Sequence, residues 1–314
     1  MRSWKPRAML IGAALLAGYA LAGCGAPSGD SSTPQIITTD VHHFVTAQSR
    51  LAAGDTVCTP LAEVFAQATP GLRKYSSKFD VGPAQVCRAI RRNPERYDSL
   101  GARLPKLDSV SSAVEAAFVR FRRLYPAARF PAVYFVVGNG ISAGTTTNGR
   151  EPIILIGAEL IGSVDGLPRT ITHELMHVQQ DYPLWGMMTG GPAFLRGSVL
   201  RHSIKEGAAS FLADVVVGPP PVPSRTRQWA DEHEREMWTA FQRDMRGKDY
   251  RRWLYNGWYR DSLAGWPVDL GYEMGYRITR AYFEHAPDTA TAIRDILHIR
   301  DFEAFVTASG YASR

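Results

Sequence analysis

Residues 173–177 read His-Glu-Leu-Met-His, and no other stretch limits this chain as sharply. In a helix, side chains four residues apart stand one above the other, so His173 and His177 share a face and reach a single tetrahedral ion. Glu174 lies on the adjoining face, placed to take a proton from water without being a ligand itself. The spacing predicts metal-dependent hydrolysis. The flanks predict the helix: Asp165 and Pro168 suit its first turn, Pro183 stops the run, and Ile171, Leu175 and Val178 form an apolar stripe on the side away from the imidazoles. The histidines should therefore face a cleft while the opposite side is buried.

Two imidazoles leave zinc short of a protein ligand. The downstream candidates are His202, Glu206 and Asp214. The metzincin pattern, with a third histidine six residues after His177, is closed because that position is Pro183. Glu206 lies in Lys205-Glu206-Gly207-Ala208-Ala209-Ser210-Phe211, within a helical stretch from Ser198 to Val217 that Gly218 and the following prolines end. Small Gly207 and Ala208 are expected to let this helix approach the histidine helix closely.

Upstream, Val41 to Leu51, Leu61 to Ala68, Pro83 to Arg92 and Ser109 to Tyr125 fit helices, the last most clearly through Val110, Val114, Phe118, Phe121 and Tyr125. Near Pro131 the period changes. Ala132–Val137 and Ile153–Ile156 are rich in β-branched and aromatic residues and predict two strands of a small sheet, whose edge suits pairing with an extended peptide. Between them, Gly144 to Arg150 reads as a turn-rich segment with a tight reversal at Asn148-Gly149. Prolines, glycines and a methionine pair between Asp181 and Pro192 predict a mobile loop over the cleft. Four tryptophans, Trp229, Trp238, Trp253 and Trp258, read as packing residues. A final helix is expected from Thr291 to Ser309 as a cover for the core.

The fold class that follows is α+β, mostly α, with a small sheet before the His-Glu-x-x-His helix and a helical N-terminal extension. With 314 residues, 45% of them hydrophobic, the chain can bury a substantial core. Its formal charge of +6 includes Arg2, Lys5 and Arg7 of an N-terminal leader; without them 33 basic residues face 30 acidic ones. No dense basic run with interleaved aromatics points to nucleic acid.

The leader has a positive start, an apolar run from Met9 to Leu21 too short to span a membrane comfortably, and Leu21-Ala22-Gly23-Cys24. That tetrapeptide resembles the bacterial lipobox, which implies diacylation of Cys24, cleavage before it, and a lipid anchor in a bacterial cell envelope, at the outer membrane or periplasmic face. The expected organisation is a signal peptide at 1–23, a flexible tether at 24–39, a helical region at 40–130 and a catalytic domain at 131–314. Outside the cytoplasm, Cys58 and Cys87 are expected to bridge.

His-Glu-x-x-His followed about thirty residues later by a helical Glu-Gly-x-Ala is similar to a gluzincin, the thermolysin-like group of zinc peptidases, with a zincin-like catalytic domain. More narrowly, the chain resembles predicted zinc-dependent proteases related to gliding-motility lipoprotein B, over roughly Pro131 to Arg300. The resemblance implies zinc ligands His173, His177 and Glu206, with Glu174 as general base and a peptide or protein as substrate. Gly271-Tyr272 to Gly275-Tyr276-Arg277 looks like a Gly-Tyr-x-x-Gly-Tyr-Arg stretch of the same family. Tyr272, with Tyr276 next, is the candidate donor to the tetrahedral oxyanion. Ser210 stands where thermolysin has an aspartate, which leaves open the group that orients the ligand histidines. The competing reading is a non-catalytic envelope or motility lipoprotein with a structural or vestigial zinc site.

Overall fold

The computed structural model describes residues 35–51, 58–147, 149, 151–182, 197–256 and 265–313. The leader, Cys24, the tether before residue 35, Asn148, the 183–192 part of the expected loop and Trp258 lie outside the described residues.

Among the described residues, seven helices fill the N-terminal region: α1 (Thr39–Gln48), α2 (Thr59–Ala66), α3 (Pro70–Phe79), α4 (Pro83–Arg92), α5 (Pro94–Asp98), α6 (Leu100–Ser109) and α7 (Ser111–Leu124). Of these, α3, α5 and α6 go beyond the helices expected from periodicity. Prolines open α3, α4 and α5 at first-turn positions, where their missing N–H costs nothing. At α3 the Thr69 side chain accepts the amides of Gly71 and Leu72, so a cap starts a helix that has few apolar residues of its own. A disulfide joins Cys58, just before α2, to Cys87 in α4.

Among the described residues, the sheet has four strands in the order β1-β2-β4-β3: β1 (Ile36–Ile37), β2 (Val133–Val136), β4 (Ile154–Gly157) and β3 (Gly144–Thr146). The first three are parallel, and β3 runs antiparallel to β4 at the edge. Helices α1 and α3 pack on β2, and α8 (Leu167–Gln179) packs on β3 and β4. Burial of Val133, Phe135, Val136 and Ile154–Ile156 matches strands read as continuous apolar runs. Two boundaries need correction. The tether expected to reach residue 39 ends earlier, because Ile36 and Ile37 pair with Val133 and Tyr134. The turn-rich segment at 144–150 begins with a strand, since Gly144, Thr145 and Thr146 pair with Ile156, Leu155 and Ile154.

The C-terminal half is helical: α9 (Val199–Val217), α10 (Arg225–Glu232), α11 (Glu234–Asp244), α12 (Leu270–His285), α13 (Thr289–Leu297) and α14 (Phe302–Ser309). The single final helix expected from Thr291 to Ser309 is two helices, because the Asp301 side chain caps the amides of Glu303 and Ala304 and starts α14 anew. Ser198 caps α9, and Gly218, with a φ of 96°, ends it. The role expected of Gly207 also needs correction. A Cβ there would meet the backbone of Gly275 and Tyr276, and one on Gly275 would fall 1.7 Å from the carbonyl of Ser203. Gly207 therefore serves the crossing of α9 with α12, whose backbones touch through paired glycines. No described helix is long and apolar enough to cross a membrane.

Candidate metal centre

Helix α8 buries Ile171 and Leu175 completely, which fixes its rotation and turns His173 and His177 to the opposite side. Helix α9 passes beside it and brings Glu206 to the same point. His173 Nε2 and His177 Nε2 are 3.1 Å apart. Glu206 Oε2 lies 3.0 Å from the second and 3.5 Å from the first. Zinc bonds of about 2.0–2.1 Å at tetrahedral angles separate ligand atoms by about 3.3 Å, so the three side chains fit one such ion. Among the described residues they are the group of three able to hold a metal.

The two rings are also oriented from behind. His173 Nδ1 is 3.2 Å from Ser210 Oγ, and His177 Nδ1 is 2.8 Å from Gln180 Oε1. Gln180 is itself fixed, donating through Nε2 to the carbonyl of Lys205 at 2.8 Å. With a cation bound in place of the Nε2 hydrogens, Nδ1–H donation to these oxygens would leave each Nε2 lone pair to the ion, as metal-ligating histidines require. Ser210, one turn after Glu206, supplies the partner left open at the aspartate position; Gln180 follows His177 by three residues at the end of the same helix.

The carboxylates behave differently. Burial would raise the Glu206 pKa, but Lys205 and then His177, with hydrogen bonds from both imidazoles, outweigh it and hold the group well below the usual range. Glu206 Oε1 accepts from Tyr255 Oη at 3.1 Å and from Lys205 Nζ at 3.3 Å. Glu174 is 6% exposed, and loss of hydration dominates there: its carboxyl is pushed up to about 7, with His173 opposing and Glu206 adding to the rise. A carboxyl poised near neutrality suits proton transfer. Strand β3 runs against it, for a Cβ on Gly144 would come within 2.8 Å of Glu174 Oε1.

Of the two tyrosines considered as oxyanion donors, Tyr276 has its hydroxyl engaged elsewhere. Its hydroxyl donates to Asp214 Oδ2 at 2.9 Å, and its ring lies under Arg227. Asp214 also takes a hydrogen bond from Arg169, so it ties α8, α9 and α12 together rather than orienting a histidine. Tyr272 stands closer to the chemistry. Its pKa is raised well above ordinary, first by burial and then by Glu206, and with Tyr276, Ser210, Arg169 and Arg227 it lines a cavity of about 260 Å³. The Tyr255 ring lies 6.2 Å from that of Tyr272, and its hydroxyl is the one that reaches Glu206. Tyr255 sits in a loop 49 residues beyond Glu206, and nothing in the sequence pattern marks it. His202 is 8% exposed and stacks edge-on against Tyr250, with Nδ1 3.4 Å from Tyr255 Oη, behind Glu206 rather than among the ligands.

A mostly helical α+β protein, with two histidines of one helix and a glutamate of the next converging on a site for one divalent cation, is the class that fold and geometry define. The chain belongs to the family described as "Predicted Zn-dependent protease (DUF2268)", whose model matches residues 136–297, just over half its length and all three candidate ligands. Neither a curated protein nor a solved structure matches it.

Proposed function

We propose that this protein is a zinc-dependent peptidase of the gluzincin type, with a zincin-like catalytic domain, in which His173, His177 and Glu206 hold the metal and Glu174 is the general base. The observation that carries the reading is the convergence of three ligand atoms within 3.5 Å beside a buried carboxyl poised near neutrality. Bound there, zinc supplies Lewis-acid chemistry, polarising a scissile carbonyl and acidifying water. Glu174 accepts the proton of the water whose oxygen bonds to the carbonyl carbon. As the C–N bond breaks, it returns that proton to the departing amine. Tyr272, and Tyr255 once its hydroxyl leaves Glu206, are the phenols placed to donate to the developing oxyanion. Ser210 and Gln180 keep both imidazoles turned toward the cation throughout. The leader and the lipobox-like tetrapeptide support anchoring of the enzyme to a bacterial envelope membrane through Cys24.

The test is a peptide-library digest by the zinc-loaded protein beside Glu174→Gln. The variant should keep its zinc while kcat falls on the order of 10²–10⁴-fold, the usual contribution of a positioned general base. Equal turnover by the two proteins would refute the assignment of Glu174, and a structural zinc site would leave the wild type without turnover.

A further inference from the structure

The edge of the sheet beside Glu174 carries an arrangement that the metal site does not explain. Thr147 N–H bonds the carbonyl of Ile153, and Gly157 N–H bonds that of Ala143. In an antiparallel ladder this turns residues 143, 145 and 147 toward β4, and Gly144 and Thr146 outward. Both outward carbonyls are taken: Gly144 O accepts from Ser142 Oγ at 2.6 Å, and Thr146 O accepts from Lys78 Nζ at 2.7 Å. The outward N–H groups of Gly144 and Thr146 have no partner among the described residues. An edge open to ordinary strand pairing offers donors and acceptors alternately. This one offers donors alone.

Lys78 adds positive charge to it. From α3 it reaches across to β3, donating also to Thr145 Oγ1 at 2.6 Å, so two of the three ammonium hydrogens are committed and one remains. It has no carboxylate within ion-pair distance among the described residues, yet it interacts electrostatically with Glu174 and Lys205. Burial lowers its pKa, as expected of an ammonium hemmed in at a cleft wall. From Gly144, against Glu174, to Thr146, against Lys78, is two residues of strand, about 7 Å.

We propose that the outer edge of β3, through the Thr146 amide and the Lys78 ammonium, receives a carboxylate of the substrate, about two residues from the scissile bond. This rests on the peptidase reading and narrows it to substrates with an acidic side chain or a free terminal carboxylate at that distance. A carboxylate is acceptor-only and bears the counter-charge that Lys78 lacks, so it satisfies the Thr146 amide and the ammonium together, where a neutral amide would set its NH₂ against them. Lys78 lies outside the family-matched segment, so the N-terminal helices would contribute directly to specificity.

The test is calorimetric binding to the zinc-loaded full chain carrying Glu174→Gln, which separates recognition from turnover. The probes are hexapeptide pairs with Asp or Glu against Asn or Gln at each position, each with a free or an amidated C-terminus. At one position, or at the terminus, the acidic peptide should bind about tenfold or more tighter than its neutral partner. The arm that discriminates identifies the source of the carboxylate. Adding Lys78→Met should reduce the preference to about twofold or less, Lys78→Glu should invert it, and Lys78→Arg should retain most of it, which excludes a mere folding defect. Equal binding within all pairs, or a preference that survives Lys78→Met, would overturn the proposal. Should acidic peptides bind selectively and yet resist the protein with Glu174 intact, the peptidase reading fails while the carboxylate site stands.

Discussion

Glu206 and Glu174 are each about 6% exposed, and two carboxyls buried side by side are costly unless a positive charge shares the site. Lys205, at 3.3 Å from Glu206, offsets part of that cost, and a divalent cation between His173, His177 and Glu206 would offset more. The orienting partners should be measurable through affinity: Ser210→Ala and Gln180→Leu are each expected to weaken zinc binding about 10–100-fold, read by competition with a chromophoric chelator. Unchanged affinity in both would mean that the rings are held by the helix alone. The Glu174 carboxyl has a consequence in the metal-stripped protein. With its folded pKa raised to about 7, the native state keeps a proton between about pH 4.5 and 7 that the unfolded chain has released, so this group makes stability fall as pH rises through that window. Glu174→Gln removes that slope. By denaturant unfolding the metal-free variant should match wild type near pH 4 and exceed it above pH 7 by an amount on the order of 3 kcal/mol. At this scale the histidines and Glu174 were legible because helical spacing states their geometry. Glu206 needed a resemblance to single it out from His202 and Asp214, and Tyr255 and Lys78 were illegible because only tertiary structure brings them to the cleft.

The elements that hold these residues are α8, α9 and α12. Helix α8 is fixed by its apolar stripe on the sheet, a pattern readable from Ile171, Leu175 and Val178. Helix α9 is fixed on its other flank by the glycine contact with α12, and there the sequence misled: small residues say that a close approach exists, not which helix approaches. Gly275→Ala isolates this contact. Alanine gains up to about 1 kcal/mol in intrinsic helix preference over glycine. Its Cβ, however, would stand 1.7 Å from the carbonyl of Ser203 and force the helices apart. A net destabilisation of about 3 kcal/mol or more is expected by thermal or denaturant unfolding, with weaker zinc binding because Glu206 moves with α9. A variant as stable as wild type would show that α9 and α12 do not meet in this way. Strand β3 was hidden for a different reason. Gly144, Thr145 and Thr146 have neither the length nor the apolar alternation of a strand, and only their pairing with β4 makes them one.

Across the whole molecule, the family match runs from the end of β2 to the end of α13, yet the described fold does not begin there. Ile36 and Ile37 add a strand to the sheet, α1 and α3 pack on β2, and the Cys58–Cys87 disulfide fastens α4 to the start of α2. The predominance of helix with a small sheet followed from composition and period. That the N-terminal helices form part of the same packed structure as the sheet did not, because parallel pairing of β1 with β2 spans nearly a hundred residues that carry no local sign of it. Zinc content and affinity of the purified chain, measured for wild type and for Glu206→Gln, test the central claim most directly. One zinc per chain, bound by wild type and lost or weakened at least a hundredfold in the variant, is the expected result. Tight, equimolar zinc in both proteins would contradict the three-ligand centre.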